Sequence, residues 1–369
     1  MNKIIVDKKI LQENIENILQ KSKDLNVIAV VKGNGYGIGI SEYVDILYEN
    51  GIRFYGTTSV KDAISIKNSK PECKVLLIEG IANKDDIESL IQNDIAITIG
   101  SVEVYKNVSQ VILEKSMKCK AHILVDTGFG ITGLKRSELE AILNENNNEK
   151  IKETGVIKIE GIYSHLTNSF GREKDSQKQL ARFREYLEIV DKYNINPEYI
   201  HICNSHAFLR FPKMYFNTVR LGSLFVGIVS YKYKENFKTV ASLQTRVIDV
   251  KSVEAGTVIG YGGAKKVKKK TNVAIIPVGY YDGIFVSFKR DTYKLVDVLR
   301  IIKDTVLSYT SKRIGYVYIN EKRYPALLLS DMNHTAIDLG DDVVNVGDTV
   351  IIKGINPLYI KNEIERKFV

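Results

Sequence analysis

Eight short apolar runs recur between Val27 and Leu224, separated by stretches of amphipathic character. This alternation constrains the fold more than any other feature of the chain. The runs are VIAVVK (27–32), RFYGTTS (53–59), KVLLIEG (74–80), IAITIG (95–100), AHILVDTG (121–128), IEGIYSHL (159–166), YIHICNS (199–205) and TVRLGSL (218–224). Between them lie SEYVDILYEN, NKDDIESLIQN, SELEAILNEN and DSQKQLARFREYLEIVDKY, whose apolar residues return at three- and four-residue steps. Continuous apolar strands separated by helices predict a parallel sheet covered on both faces. A doubly wound open sheet has the same texture. The count of eight within about 200–250 residues favours a (β/α)8 barrel.

After Leu224 the texture changes. ASLQTRVIDVKSVEAGTVIGYG, TNVAIIPVGYYDG, RIGYVYINEKRYPALLLS and DTVIIKGI read as strands joined by Gly, Asn and Lys turns, with a helical period only in TYKLVDVLRIIKD (292–304). The expectation is an α/β chain: a (β/α)8 TIM barrel over 1–225 and a β-rich domain over 226–369. At 369 residues and 44% hydrophobic content the chain has the apolar material for two cores.

Composition excludes some function classes. No apolar run approaches the ~20 residues of a membrane span. MNKIIVDKKILQENIENILQ has neither an apolar core nor a cleavage site, so no secretory signal is expected. Cys73, Cys119 and Cys203 are scattered and odd in number, which fits a reducing cytoplasm and argues against a disulfide framework or a zinc site. His122, His206 and His334 lack metal-ligand spacing, so no metal is expected and they receive no role. The net charge is +9, yet the lysines are dispersed. Their one dense run, KKVKKK (265–270), reads as a solvated loop or hairpin rather than a nucleic-acid surface.

In a barrel, chemistry gathers where strands end. Strand one closes on Lys32 and GNGYG, strand five on Asp126, Thr127 and Gly128, and strand six on Ser164 and His165. Strand seven closes on Asn204 and Ser205, strand eight on Arg220 and Gly222. A lysine closing an apolar strand is unusual because burying an ammonium is costly. An amine at such a place is either the nucleophile of Schiff-base chemistry or a side chain that snorkels to the rim. Asp126 and Asp282 read as caps of strand ends. Tyr280 and Tyr281 either line a site entrance or pack.

In these segments the sequence resembles the alanine racemase family of fold-type III pyridoxal-phosphate enzymes. AVVKGNGYGIG (29–39) carries the family's AVVKxNxYGxG pattern. VDTGFG (125–130), GIYSHL (161–166), HICNS (201–205), VRLG (219–222), GYG (260–262), VGYYDG (278–283) and DMNHTAIDLG (331–340) follow in register along nearly the whole chain. The resemblance implies a pyridoxal 5'-phosphate cofactor, a free amino acid as substrate with alanine the default, and a homodimer with shared active sites. It implies that Lys32 carries the cofactor and is one racemisation base, with Tyr261 the second base on the opposite face. Tyr36, Ser205 and the backbone at Gly222 match phosphate contacts, beside Asn204. Tyr359 stands in for a second phosphate tyrosine near the C-terminus. His165 matches a histidine bonded to the catalytic tyrosine, where it and nearby cations would lower that hydroxyl's pKa. Arg220 matches the arginine facing the pyridine nitrogen, with His201 as its partner. Met332 matches a backbone N–H donor to the substrate carboxylate.

Arginine is always protonated, so it cannot accept a proton from the pyridine nitrogen. That weakens the electron sink and favours simple proton exchange. Decarboxylases on the same scaffold place an acidic residue there. A carrier of pyridoxal phosphate would need only the barrel, so the β domain and Tyr261 argue for turnover. Two positions depart from the family. Its arginine after DTGFG is here Ile131, and the modified lysine that supports that arginine is here Leu124. The site exchanges a cation for apolar surface, which leaves open a racemase for serine or for a larger amino acid.

Overall fold

The computed structural model describes residues 2–78, 83–146, 157–230, 233–260, 265–286, 298–299, 301–303, 306, 315–327 and 331–369. The proposed second base, Tyr261, lies outside the described residues, as does most of the candidate helix at 292–304. By packing, the chain divides into two units, Lys9–Lys238 and Met1–Lys8 with Thr239–Val369.

The first unit is the expected barrel. Its eight parallel strands are β2 (Asn26–Val30), β3 (Phe54–Thr57), β4 (Lys74–Leu77), β5 (Ala96–Ile99), β6 (Cys119–Leu124), β7 (Ile157–Tyr163), β8 (Tyr199–His201) and β9 (Thr218–Leu221). They lie in the order β8-β7-β6-β5-β4-β3-β2-β9. A backbone bond from Arg220 N to Cys203 O (3.0 Å) bridges just beyond β8 and nearly closes the ring. All four residues of β3, β5 and β9 are buried, as strands covered on both faces must be.

The covering helices begin where the sequence supplies caps. Ser59 accepts from Asp62 N to start Val60–Ser69, Asn83 from Asp86 N to start Lys84–Gln92, and Ser101 from Val104 N to start Val102–Lys115. Inside the barrel Ile28, Val30, Phe54, Leu76, Leu124, Tyr163 and Tyr199 form one apolar cluster.

The second unit is a nine-stranded sheet in the order β11-β14-β17-β16-β15-β18-β10-β1-β19. These strands are β1 (Lys3–Val6), β10 (Ala241–Arg246), β11 (Asp249–Val253), β14 (Thr271–Ile276), β15 (Tyr316–Ile319), β16 (Lys322–Leu327), β17 (Thr335–Gly340), β18 (Thr349–Lys353) and β19 (Glu365–Phe368). The N-terminal strand β1 belongs to this sheet, antiparallel to β10 and parallel to β19. Its alternating burial marks a strand with one face in a core. The lysine-rich run is a hairpin arm: Lys265–Lys266 (β13) pairs with Val258–Ile259 (β12). Lys270 and Lys269 reach Glu254 (2.8 Å) and Asp341 (3.4 Å).

Candidate active site

The C-terminal ends of five barrel strands converge on a cavity of about 320 Å³, within the size range of small-molecule sites. Val30, Lys32 and Tyr36 come from the end of β2, Ile78 from β4, His165 from β7, Asn204 and Ser205 from β8, and Arg220 and Gly222 from β9. Lys32, Tyr36, His165, Asn204, Ser205, Arg220 and Gly222 are seven residues that the sequence singles out, and all line this one space.

The loop after Lys32 is a left-handed helical turn. Gly33, Asn34, Gly35 and Tyr36 all have φ between 54° and 64°. Glycine and asparagine adopt this region at low cost; a tyrosine there is rare and is held by its surroundings. Gly37 N bonds Gly33 O (2.8 Å), and Asn34 Oδ1 accepts from Ile40 N (3.1 Å). Tyr36 is thereby turned toward Gly222, where a Cβ would sit 2.4 Å from the Tyr36 hydroxyl oxygen. Only glycine allows that approach. Burial pushes the Tyr36 hydroxyl up to about 12, against a hydrogen bond with the Ser223 backbone that lowers it. It therefore stays protonated and offers a donor. Gly222 N donates to Ser205 Oγ (3.1 Å), and Asn204 Oδ1 accepts from His206 N and Ala207 N. This end of the cavity is a cluster of hydroxyls and backbone amides suited to an anion.

Arg220 lies at the other end, almost fully buried. Its Nη1 donates to His201 Nδ1 (2.6 Å) and His201 O (3.2 Å), and Nη2 donates to Ser164 O (2.8 Å). The guanidinium also sits over the Tyr163 ring, 4.6 Å from its centroid. The Tyr163 ring stacks in turn on His201, 4.8 Å between centroids. The cation is fixed in place by neutral acceptors, with no carboxylate among these partners.

His165 rests edge-on against Phe129 (4.8 Å), and Gln179 Nε2 holds its backbone carbonyl (3.0 Å). Burial, then Arg220 and Lys32, bring the His165 imidazole down to about 4. At neutral pH it is therefore uncharged and offers a hydrogen-bonding ring rather than a cation. The fixed cation in this cavity is Arg220.

The remaining candidates lie elsewhere. Ile131 is 76% exposed in the loop after β6, and Leu124 is packed in the apolar cluster inside the barrel. Met332 and Tyr359 are exposed on the β unit. The Met332 carbonyl accepts from Tyr281 N (3.0 Å). Asp126 is a cap, as expected: its Oδ1 accepts from Gly128, Phe129 and Gly130 N. Asp282 likewise accepts from Gly279 N (3.0 Å) and pairs with Lys361 (3.2 Å).

Two histidines given no role from sequence stand close to this machinery. His206 lines the cavity, and its Nε2 has no partner among the described residues. His122 is fully buried below His201, 3.0 Å from it. The signal for His122 was a titratable residue in the middle of the apolar run AHILV.

The residues present fit pyridoxal phosphate. A lysine amine, an anion cradle that a Cβ at Gly222 would fill, a neutral imidazole and a fixed guanidinium border one cavity of suitable size. Comparison with known proteins agrees in family and fold. The chain matches the model for the N-terminal domain of alanine racemase over residues 6–230 and that for the C-terminal domain over 240–366. It is 31% identical over 299 residues to an alanine racemase of Borreliella burgdorferi (strain ZS7), covering 80% of this chain and 78% of that protein. It is 28% identical over 373 residues to one of Clostridium novyi (strain NT), covering 95% and 93%. Among solved structures, an alanine racemase from Streptomyces lavendulae superposes with a TM-score of 0.83 at 21% identity, over 100% of this chain and 97% of that one. At that identity the superposition speaks for fold alone. Two family models in sequence, together covering most of the chain, decide the classification: the chain belongs to the alanine racemase family.

Proposed function

We propose that this protein is an isomerase, a pyridoxal-phosphate-dependent amino-acid racemase that interconverts L- and D-alanine. The observation that carries the reading is the fixed Arg220 guanidinium sharing one cavity with Lys32 and the Tyr36–Ser205–Gly222 cradle.

When bound, pyridoxal phosphate supplies an electron sink for the negative charge that develops at the substrate Cα. The Lys32 amine holds the cofactor and exchanges a proton at one face of Cα. Tyr261 holds the proton for the other face through its hydroxyl. Tyr36, Ser205 and the backbone around Gly222 bind the phosphate. Arg220 has donors and no acceptor, so it hydrogen-bonds the ring nitrogen without giving up a proton. That restraint favours proton exchange at Cα over transamination or decarboxylation. Neutral His165, on the cavity wall, would face the cofactor and serve as the hydrogen-bond partner of the second base.

The active unit is a homodimer in which Tyr261 of one chain serves Lys32 of its partner. Exposure of Met332, Tyr359, Tyr280 and Tyr281 on the β unit supports a surface that a second copy covers. Three free, buried cysteines support residence in a reducing cytoplasm.

A second reading concerns the substrate. Ile131 and Leu124 leave two family positions without a cation or its support, which favours serine or a larger amino acid, or weak use of alanine. The test is to incubate the loaded protein with single-enantiomer amino acids in deuterated water. The reading requires deuterium at Cα together with optical inversion. Loss of carboxylate, or cofactor binding without Cα exchange, would refute it.

A further inference from the structure

Below the cavity the barrel interior holds a run of three side chains, Arg220, His201 and His122, whose protons can be placed from chemistry alone. Arg220 is cationic and has no acceptor. Its Nη1 lies 2.6 Å from His201 Nδ1, so that nitrogen must accept. His201 then carries its proton on Nε2, which is 3.0 Å from His122 Nδ1. His122 Nδ1 must accept in turn, and the His122 proton sits on Nε2. That terminal Nε2–H is buried and has no partner among the described residues. Its ring lies parallel to Tyr199 (5.6 Å) and edge-on to Phe54 (6.0 Å). A phenylalanine or leucine would suit such surroundings without orphaning a donor.

The barrel also makes room for this imidazole. A Cβ at Gly161 on β7 would lie 2.3 Å from His122 Nδ1, and the pairing of β6 with β7 shifts register between Ala121 and His122. A buried ring with one unmet donor, admitted by a glycine and a register shift, is explained by what its other nitrogen does. Burial, then the charge of Arg220, holds His122 down to about 3, and the same causes hold His201 well below the usual histidine value. Both rings are neutral, as the proton placement requires.

We propose that His122 is a positioning residue: its Nδ1 pins the His201 ring, so that His201 Nδ1 stays aimed at Arg220 and the guanidinium keeps its direction into the cavity. The proposal rests on the racemase reading for its catalytic consequence and on the barrel alone for its geometry.

The test separates the two. The full chain with ¹⁵N-labelled histidine has five imidazoles, few enough to assign by single substitution. Without added cofactor, His122 and His201 should both show the neutral Nε2–H pattern at neutral pH. His122→Phe should then broaden or displace the His201 Nδ1 resonance, because the His201 Nε2–H loses its acceptor. His122→Asn places an amide oxygen near the Nδ1 position and should retain the wild-type signal. With pyridoxal phosphate bound, His122→Phe should shift the cofactor absorption and lower kcat/KM by about tenfold, at the low end of losses seen when an outer hydrogen-bond partner of a ligating histidine is removed. His122→Asn should restore most of it.

A wild-type His122 protonated on Nδ1, or cationic at neutral pH, would overturn the proposal even if His122→Phe does not fold. So would an unchanged His201 Nδ1 resonance in a folded His122→Phe protein. A chain that shows these tautomers and the His201 response but neither binds pyridoxal phosphate nor racemises would overturn the function reading and leave His122 in its role.

Discussion

Mild acid should destabilise this barrel through histidines buried neutral in its interior, and His122 isolates the effect. An exposed histidine titrates near 6.5. His122 is 0% exposed, and burial holds it to about 3. Between those values the unfolded chain binds a proton that the folded chain refuses, so stability is complete above about 6.5 and falls as the pH drops below it. At about pH 5 the solution is about 1.5 pH units below the unfolded imidazole's value, so the unfolded ring is protonated while the folded ring is still neutral. At 1.36 kcal/mol per unit the loss is about 2 kcal/mol. His201 is likewise held well below its usual value by burial and then by Arg220, so its contribution has the same sign. The loss from His122 alone compares with a typical total stability of about 5–15 kcal/mol. Asp94 and Asp331 are held low, so their contribution is present above the unfolded carboxyl value of about 3.9 and is lost only in stronger acid. The window between pH 7.5 and 5 is therefore a histidine window. The assay is urea unfolding followed by far-ultraviolet circular dichroism at the two pH values, for wild type and His122→Phe. His165 and His206 contribute equally to both proteins and cancel. The pH-dependent loss should be smaller in His122→Phe by about 2 kcal/mol, whatever the substitution does at pH 7.5. An equal loss in the two proteins would mean that His122 is not a buried neutral imidazole.

Borohydride reduction of the loaded protein followed by peptide mapping should place the pyridoxyl adduct on Lys32; an adduct on another lysine removes it from its role. Gly222→Ala should weaken pyridoxal phosphate binding by about tenfold or more in an absorbance titration, since displacing the Tyr36 hydroxyl costs at least a phosphate hydrogen bond of about 1.5 kcal/mol. The second substrate reading requires wild type to use alanine poorly or prefer another amino acid, and Ile131→Arg with Leu124→Asn to lower the alanine KM by about 10- to 100-fold, the worth of a charge-assisted hydrogen bond of about 1.5–3 kcal/mol. Ordinary alanine kinetics in the wild type would show that Ile131 carries no substrate information. Mixing inactive Lys32→Ala and Tyr261→Phe chains should recover activity if sites are shared between subunits; no recovery after verified subunit exchange argues for sites within one chain.

What could be read from the sequence follows the range of the forces involved. The barrel strands were legible because a doubly buried parallel strand is predominantly apolar, as in FYGT and AITI, and the helices because Ser59, Asn83 and Ser101 sit where first-turn amides need acceptors. Lys32 stood out because a cation closing an apolar strand needs a reason, and Arg220 through the VRLG match to the family. Partners distant in sequence left no local trace. Lys3–Val6 alternates its burial like any strand with one face in a core, but only the register reveals that Lys3 lies opposite Gln244. The neutral state of His165 comes first from burial in the assembled barrel and then from Arg220 and Lys32, which approach it from other strands. The same limit hid His122. Its partner is 79 residues away, and apolar continuity in AHILV does not say which residues face the barrel interior. The space for its ring comes from Gly161 on the neighbouring strand, and glycine in a strand has many causes. Burying an imidazole in an apolar run costs stability in acid, so the sequence recorded a cost at His122 while its cause lay in the assembled barrel.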